Sequence, residues 1–448
     1  MARDPNPDLA LDFKTVWHPC TQMQDHETVP PLLIERGEGI YLYDREGGKY
    51  MDVISSWWVN LFGHNHPRLN AAVQKQLERM AHVMFAGLTH RPAIALAQAL
   101  TRLTPPNLTK VFFSDNGSTS IEVALKMSVQ YWRQTGQSRR VKFVYLKGAY
   151  HGETLGALST CGLPLFRDSF RDVLADNIEA PGPDCYRCPY GLNPQTCDAE
   201  CFEPMEQILN ERRDTIAAVL VEPLVQGAAG MKMYPPRYLK KLQETCDSLG
   251  LFTIFDEVAV GFGRTGALFV CGQHGLRPTF LCLSKGITSG YLPLAATLTE
   301  DRVYQAFYDE FPTTKTFLHS HSYTANPLAC ACANETLSML EGYLENLRPK
   351  IRFMGEYGKK LEELKWCGEF RQTGMIARVE LVQNKESKEP FPFEKRVGYH
   401  IYLEGLKRGV LMRPLGNVVY FIPPLIITPE EIKVMIDTAY DCIRATLD

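Results

Sequence analysis

Three apolar runs constrain this chain more than any other feature: IAAVLVEP (216–223), LFTIFDE (251–257) and PTFLCLS (278–284). None alternates polar with apolar residues. A strand with one wet face alternates, whereas a strand covered on both faces does not. Helix-length segments separate the runs, and that order predicts an α/β architecture in which helices cover a mostly parallel sheet. Two shorter runs upstream extend the pattern. KVFFS (110–114) precedes a helix through Trp132, and KFVYL (142–146) is a further strand.

The flanks read differently. Residues 31–54 alternate around Gly47-Gly48, which predicts a β-hairpin. Helical periodicity runs from about Arg68 to Val83, with Leu69, Val73, Leu77 and Met80 on one stripe, and another helix follows Pro92. Beyond about 335 come a long amphipathic helix, GMIARVELV (374–382), NVVYFIPPLIIT (417–428) and a final helix opened by a capping box at Thr428, Pro429 and Glu431. The expected organisation is a large domain over 66–335 and a smaller α+β domain over 336–448, to which the N-terminal segment 1–65 contributes.

With 448 residues the chain is too long for one ordinary domain, and its 45% of hydrophobic residues can fill sizeable cores. A net charge of −3 gives no electrostatic reason to expect nucleic acid or an anionic membrane as partner. The start, MARDPNPDLALDFK, has no apolar leader region, and no apolar run reaches membrane-spanning length, so the chain reads as cytoplasmic. Its 13 cysteines, in segments such as FLCLSK and LACACA, suit buried free thiols in a reducing compartment. Cys185, Cys188, Cys197 and Cys201 stand apart. Their C-x2-C-x8-C-x3-C spacing could hold zinc, but a cysteine-bearing surface loop explains them as well, and no metal is expected.

Three signals carry chemistry. Lys285, in LCLSKGITSGYLP, directly follows an apolar strand. A desolvated lysine has a lowered pKa and becomes a usable amine nucleophile; alone, the position also fits a lysine snorkelling from a strand end. Asp256 ends the run LFTIFD, at the carboxyl edge of the sheet where ligands bind in open α/β folds. It could hold the proton of a pyridine nitrogen, or simply cap the next turn with Glu257 solvated beside it. The loop SDNGSTS (114–120) joins a strand to a helix, and a helix N-terminus with a glycine suits phosphate; an ordinary N-cap reads the same way. The three together describe a phosphate cradle, a pyridinium partner and a lysine able to bond a carbonyl.

DEVAVGFGRTG, followed 29 residues later by Lys285 in SKGITSGYLP, resembles the class III aminotransferases among the fold-type I pyridoxal-phosphate enzymes. The resemblance runs nearly end to end, from WHPCTQM to MRPLGNVVYFIPPL. ISSWWVNLFGHNHP, AHVMFAGLTH and AYHGETLGALS resemble the branch that aminates 8-amino-7-oxononanoate in biotin synthesis. The resemblance implies pyridoxal 5'-phosphate as cofactor, with Gly117 and Ser118 on its phosphate, Tyr150 stacked on its ring, Asp256 at the ring nitrogen and Lys285 as covalent anchor and proton shuttle. It implies a homodimer in which Ser322 reaches the partner's phosphate. Trp57, Tyr150, Ser320 and Arg413 would meet the substrates, although the two tryptophans could pack in the core and Arg413 could form a surface ion pair. Two departures bear on the amino donor, S-adenosylmethionine or lysine. Cys20 stands where many members carry tyrosine, and Ser320-His321-Ser322 replaces a common glycine-proline-threonine. The alternatives are an ω-amino-acid:pyruvate aminotransferase, suggested by the CYRCPYG loop, and a non-catalytic zinc-stabilised interaction protein.

Overall fold

The computed structural model describes residues 6–448; residues 1–5, the beginning of the segment expected to lack a leader, lie outside them. Seven strands form the central sheet: β1 (Leu108–Ser114), β2 (Lys142–Leu146), β3 (Ile178–Ala180), β4 (Ile216–Val221), β5 (Phe252–Asp256), β6 (Phe280–Leu283) and β7 (Ala295–Glu300). Their spatial order is β1-β7-β6-β5-β4-β2-β3. Strands β3, β2, β4, β5 and β6 pair in parallel. β7 is antiparallel to both β6 and β1, so β1 points the same way as the parallel five.

The three runs without alternation are therefore inner strands. Every residue of β4, β5 and β6 is buried, each large apolar side chain contributing about 1.5–3 kcal/mol. Two strands escaped the sequence reading. β3 has three residues, too few to show a period. β7, AATLTE, carries threonines that read as exposed; Thr297 and Thr299 are buried, and their hydroxyls donate to the carbonyls of Ser120 at 2.9 Å and Thr279 at 3.0 Å.

The helix expected over 68–83 is shorter, Pro67–Leu77. The buried Gln76 amide donates to the Met80 carbonyl at 2.9 Å and closes the turn there, which leaves Leu77 exposed and Met80 beyond the helix. The hairpin around Gly47 is present as Tyr41–Asp44 against Lys49–Asp52. Ile34–Glu38 joins its one side, and Val410–Leu411, from far along the chain, pairs in parallel with the other. Cys367–Thr373, Ile376–Asn384 and Val418–Phe421 form a separate antiparallel sheet. The last helix, Pro429–Leu447, opens on the expected box: Thr428 Oγ1 accepts from Glu431 N at 3.2 Å, and Glu431 Oε2 accepts from Thr428 N at 2.9 Å.

Arg264 ties these parts together. It is 1% exposed, and its guanidinium donates to the carbonyls of Pro423 at 2.6 Å and Asn60 at 2.8 Å. Burial pushes it down to about 9. Among the described residues no helix is long and apolar enough to cross a membrane.

Candidate active site

The carboxyl ends of β1, β2, β4, β5 and β6 converge on a cavity of about 490 Å³, lined by Gly117, Ser118, Tyr150, His151, Glu222, Asp256, Val258 and Lys285 among others. After β1 the chain turns into the helix Gly117–Gln134. Its N-cap is Asn116, whose Oδ1 accepts from Thr119 N at 3.1 Å while Thr119 Oγ1 accepts from Asn116 N at 3.1 Å. The cap occupies the third N–H, and the N–H groups of Gly117 and Ser118 have no acceptor within the helix. The backbone packs tightly around them. A Cβ on Gly117 would stand 2.7 Å from Val258 Cγ1, and one on Gly152 would stand 2.4 Å from Ser118 Cβ. The Ser118 hydroxyl accepts from Thr154 N at 3.0 Å and lies 2.7 Å from Thr154 Oγ1. The helix end and its two free N–H groups are suited to phosphate.

Lys285 follows β6 in a left-handed conformation, φ +45°. Burial lowers its amine, while Asp256 and Glu222 pull it back up. Its Nζ sits 4.4 Å from the centre of the Trp58 ring. Trp58 is buried and its Nε1 donates to Tyr420 Oη at 3.1 Å. The turn carrying it is strained: Ser55, Ser56, Trp57 and Trp58 have φ of +51°, +47°, +74° and +73°. Left-handed backbone costs about 1–2 kcal/mol per residue outside glycine. Buried Asp52 offsets this by accepting from Ser56 N at 3.0 Å and Ser56 Oγ at 2.7 Å, and Ser55 Oγ donates to Ile422 O at 2.6 Å. Strain of this kind collects where a side chain must be aimed.

Asp256, the last residue of β5, accepts from Val258 N at 3.0 Å on Oδ1 and faces His151 Nδ1 at 2.8 Å on Oδ2. It lines the cavity. Glu257, solvated only in the alternative reading of Asp256 as a turn cap, is fully buried: it accepts from Val270 N at 2.7 Å and Cys271 N at 2.8 Å and caps the helix Val270–His274. Two site residues were not anticipated. Glu222 follows β4, and its carboxylate accepts from Tyr150 N at 3.0 Å and Gly227 N at 2.8 Å. Burial pushes it up to about 7. It ends an apolar run as Asp256 does, so the same signal could have found it. His151 gave no signal of its own beyond its place in AYHG.

Of the residues expected around the ring, Gly117, Ser118, Tyr150, Asp256 and Lys285 line one cavity. The Tyr150 hydroxyl donates to Glu153 Oε1 at 2.8 Å, and burial raises it. Trp58, not Trp57, borders this cavity. Trp57 is 42% exposed and carries the Arg413 guanidinium 4.8 Å from its ring centre. Arg413 also donates to Cys20 O at 3.4 Å and forms no ion pair among the described residues. Ser320 and Ser322 are exposed and lie outside the cavity wall. Cys185, Cys188, Cys197 and Cys201 are free thiols lining one small pocket away from this centre. Among the described residues no group of three or more His, Cys, Asp or Glu side chains is placed to hold a metal ion.

The residues fit pyridoxal phosphate. A helix N-terminus with glycine-tight walls receives an anion, a carboxylate faces the cavity from β5, and a desolvated amine faces it from beyond β6. Comparisons with known proteins agree. Residues 22–443 match the family model for aminotransferase class-III. The chain is 47% identical over 429 residues to the adenosylmethionine-8-amino-7-oxononanoate aminotransferase of Geobacter sulfurreducens, covering 95% of each chain. The crystal structure of the enzyme of that name from Methanocaldococcus jannaschii superposes with a TM-score of 0.94 at 39% identity, over 99% of this chain and 100% of the other. The omega transaminase of Pseudomonas jessenii, solved in complex with PMP, gives 0.93 at 31% identity over 98% of both.

Proposed function

The chain belongs to the class-III aminotransferases, which makes it a pyridoxal-phosphate-dependent transaminase, and from that premise we propose that it aminates 8-amino-7-oxononanoate to 7,8-diaminononanoate in biotin synthesis. One observation carries this choice. Eight relatives named for that reaction match at 39–47% identity over at least 93% of this chain, whereas the Pseudomonas jessenii omega transaminase, equally similar in fold, matches at 31%.

Pyridoxal phosphate supplies a carbonyl that bonds amines and a protonated ring that accepts electrons from the substrate carbon. The chain's residues divide the remaining work. The N–H groups of Gly117 and Ser118 hold the phosphate with the help of the helix dipole. Tyr150 would stack on the ring, and Asp256 would keep the proton on the ring nitrogen because an anion there favours the charged ring. Lys285 would anchor the cofactor through its amine, and the same amine, when free, would carry the proton to and from the substrate carbon. Its lowered pKa raises the share of neutral amine available for both tasks. Trp58, fixed by Tyr420, closes one wall and keeps water from the amine.

Arg413, stacked on Trp57, would take a substrate carboxylate, since a guanidinium can offer two parallel hydrogen bonds. The thiol of Cys20 is raised by burial and by Glu153, against a lowering by Arg413. It is shorter than a phenol and a weak donor, which leaves lysine or another simple amino acid as a better donor than S-adenosylmethionine. Exposed Ser320 and Ser322 act in a homodimer, Ser322 on the partner's phosphate. Exposed large apolar residues such as Met84, Leu88 and Leu318 support a second copy covering that side. The segments 1–65, 66–335 and 336–448 and a cytoplasmic location belong to the same proposal.

The test is substrate exchange with purified holoenzyme. 8-Amino-7-oxononanoate should be aminated and pyruvate should not serve as acceptor. Turnover of an ω-amino acid with pyruvate, and none with 8-amino-7-oxononanoate, would transfer the chain to the other branch.

A further inference from the structure

We propose that His151 is a positioning residue that fixes the direction of the Asp256 carboxylate and so sets how firmly the cofactor's ring nitrogen keeps its proton. The inference rests on the proposed pairing of Asp256 with that nitrogen.

Asp256 has two anchors. Val258 N donates to Oδ1 at 3.0 Å, and His151 Nδ1 lies 2.8 Å from Oδ2. The His151 side chain is fully enclosed, and its Nε2 has no partner. A buried N–H without an acceptor is rarer in proteins than a bare lone pair, which assigns the ring proton to Nδ1. The contact is then an N–H donating to a carboxylate, the stronger kind of hydrogen bond. Each carboxylate oxygen accepts more than one bond, so Asp256 keeps lone pairs for the cavity. Without His151 only Val258 N would hold it, and the carboxylate plane could turn.

The imidazole is itself held. Its loop is clamped where Tyr150 N donates to Glu222 Oε1 at 3.0 Å, and on the other side Gly152 packs against Ser118. The charged and titratable groups around it are Asp256 and Glu222 from neighbouring strand ends and Tyr150 and Glu153 on its own loop, with Lys285 and Cys282 facing Asp256. Phosphate cradle, ring clamp and pyridinium partner thus meet in one loop, Tyr150–Thr154.

The test uses holoenzyme of four variants: His151→Asn, whose amide N–H replaces Nδ1–H; His151→Gln, whose amide falls near the Nε2 position; His151→Leu, which has no donor; and Asp256→Asn. The readouts are the pH midpoint of the cofactor's visible absorbance, the cofactor dissociation constant and the thermal midpoint. His151→Asn should keep the parent's pH midpoint and affinity within about twofold. His151→Gln and His151→Leu should shift the pH midpoint and weaken cofactor binding by about tenfold or more, as loss of a hydrogen bond to a charged group implies, without a matching fall in thermal midpoint. Should His151→Leu fail to fold, the Asn and Gln pair carries the comparison. Parent-like behaviour of His151→Gln and His151→Leu, with Asp256→Asn moving both cofactor readouts, overturns the role of His151 alone. If Asp256→Asn moves neither, the pairing of Asp256 with the ring nitrogen falls, and this inference with it.

Discussion

Replacing Gly152 by alanine adds one methyl group at the point where the Tyr150–Thr154 loop crosses the phosphate cradle. The new Cβ would stand 2.3 Å from Ser118 Oγ, 2.4 Å from Ser118 Cβ and 2.7 Å from Ser118 Cα. Carbon atoms in ordinary contact are at least about 3.4 Å apart, so loop and cradle must separate by about 1 Å. Ser118 Cα is backbone at the head of a helix and has little room to yield. The residue also sits at φ +122°, which an L side chain rarely adopts and which costs about 1–3 kcal/mol. Overpacking adds about 1–3 kcal/mol more. The sum, about 2–6 kcal/mol, is comparable to the whole stability of some domains, and relaxation will come from the loop, carrying Tyr150 and His151 with it. A displacement of about 1 Å at a reacting centre costs about a hundredfold in rate. Gly152→Ala should therefore lower kcat/KM about a hundredfold and weaken cofactor binding, read from turnover and from cofactor fluorescence on titration. Gly272→Ala is the control, because its Cβ meets nothing within 4 Å and should change neither readout. A Gly152→Ala enzyme with parental turnover and cofactor affinity would refute the reasoning that this contact locates the loop.

Lys285→Ala should abolish turnover while cofactor still binds non-covalently, because anchor and proton carrier leave together; borohydride should no longer attach the cofactor covalently to the protein, and near-normal activity would end the assignment. Asp256→Asn should fold and lose nearly all activity, as seen by steady-state assay beside a thermal melt. Glu257 is pushed by burial from 4.5 up to about 7, so the folded state holds a proton that the unfolded state has lost between those values. Its contribution is complete below about 4.5 and is lost as pH rises to about 7, worth up to about 3 kcal/mol. Urea unfolding of the parent and Glu257→Gln should show their stability difference changing with that sign across the window; a pH-independent difference would contradict it. Cys20→Tyr should shift the ratio of half-reaction rates toward S-adenosylmethionine over lysine, and a parent that already prefers S-adenosylmethionine would refute the reading of Cys20.

The runs 216–223, 251–257 and 278–284 disclosed buried parallel strands because a strand covered on both faces has no reason to place polar residues in its interior. The same logic put Asp256 and Lys285 at strand ends, where a charged residue after an apolar stretch must find a partner or border a cavity. The capping box at Thr428 and Glu431 was legible because its partners are three residues apart. What local pattern could not show was how distant pieces meet. β7 hides behind threonines whose hydroxyls find carbonyls just before β6 and on the helix after β1 only once the chain is folded. The clamp of Tyr150 by Glu222 spans 72 residues, and the contact of His151 with Asp256 spans 105. Trp58 rather than Trp57 reaches Lys285 because four successive left-handed residues, held by Asp52, turn the pair around. Sequence by itself determined that the long apolar runs must be strands and that Asp256 and Lys285 could do chemistry at their ends, since burial and capping act over a few residues and leave a local pattern. Tertiary structure alone decided which of those residues share a cavity and which tryptophan faces it, because hydrogen bonds between residues far apart in the chain leave no period to read.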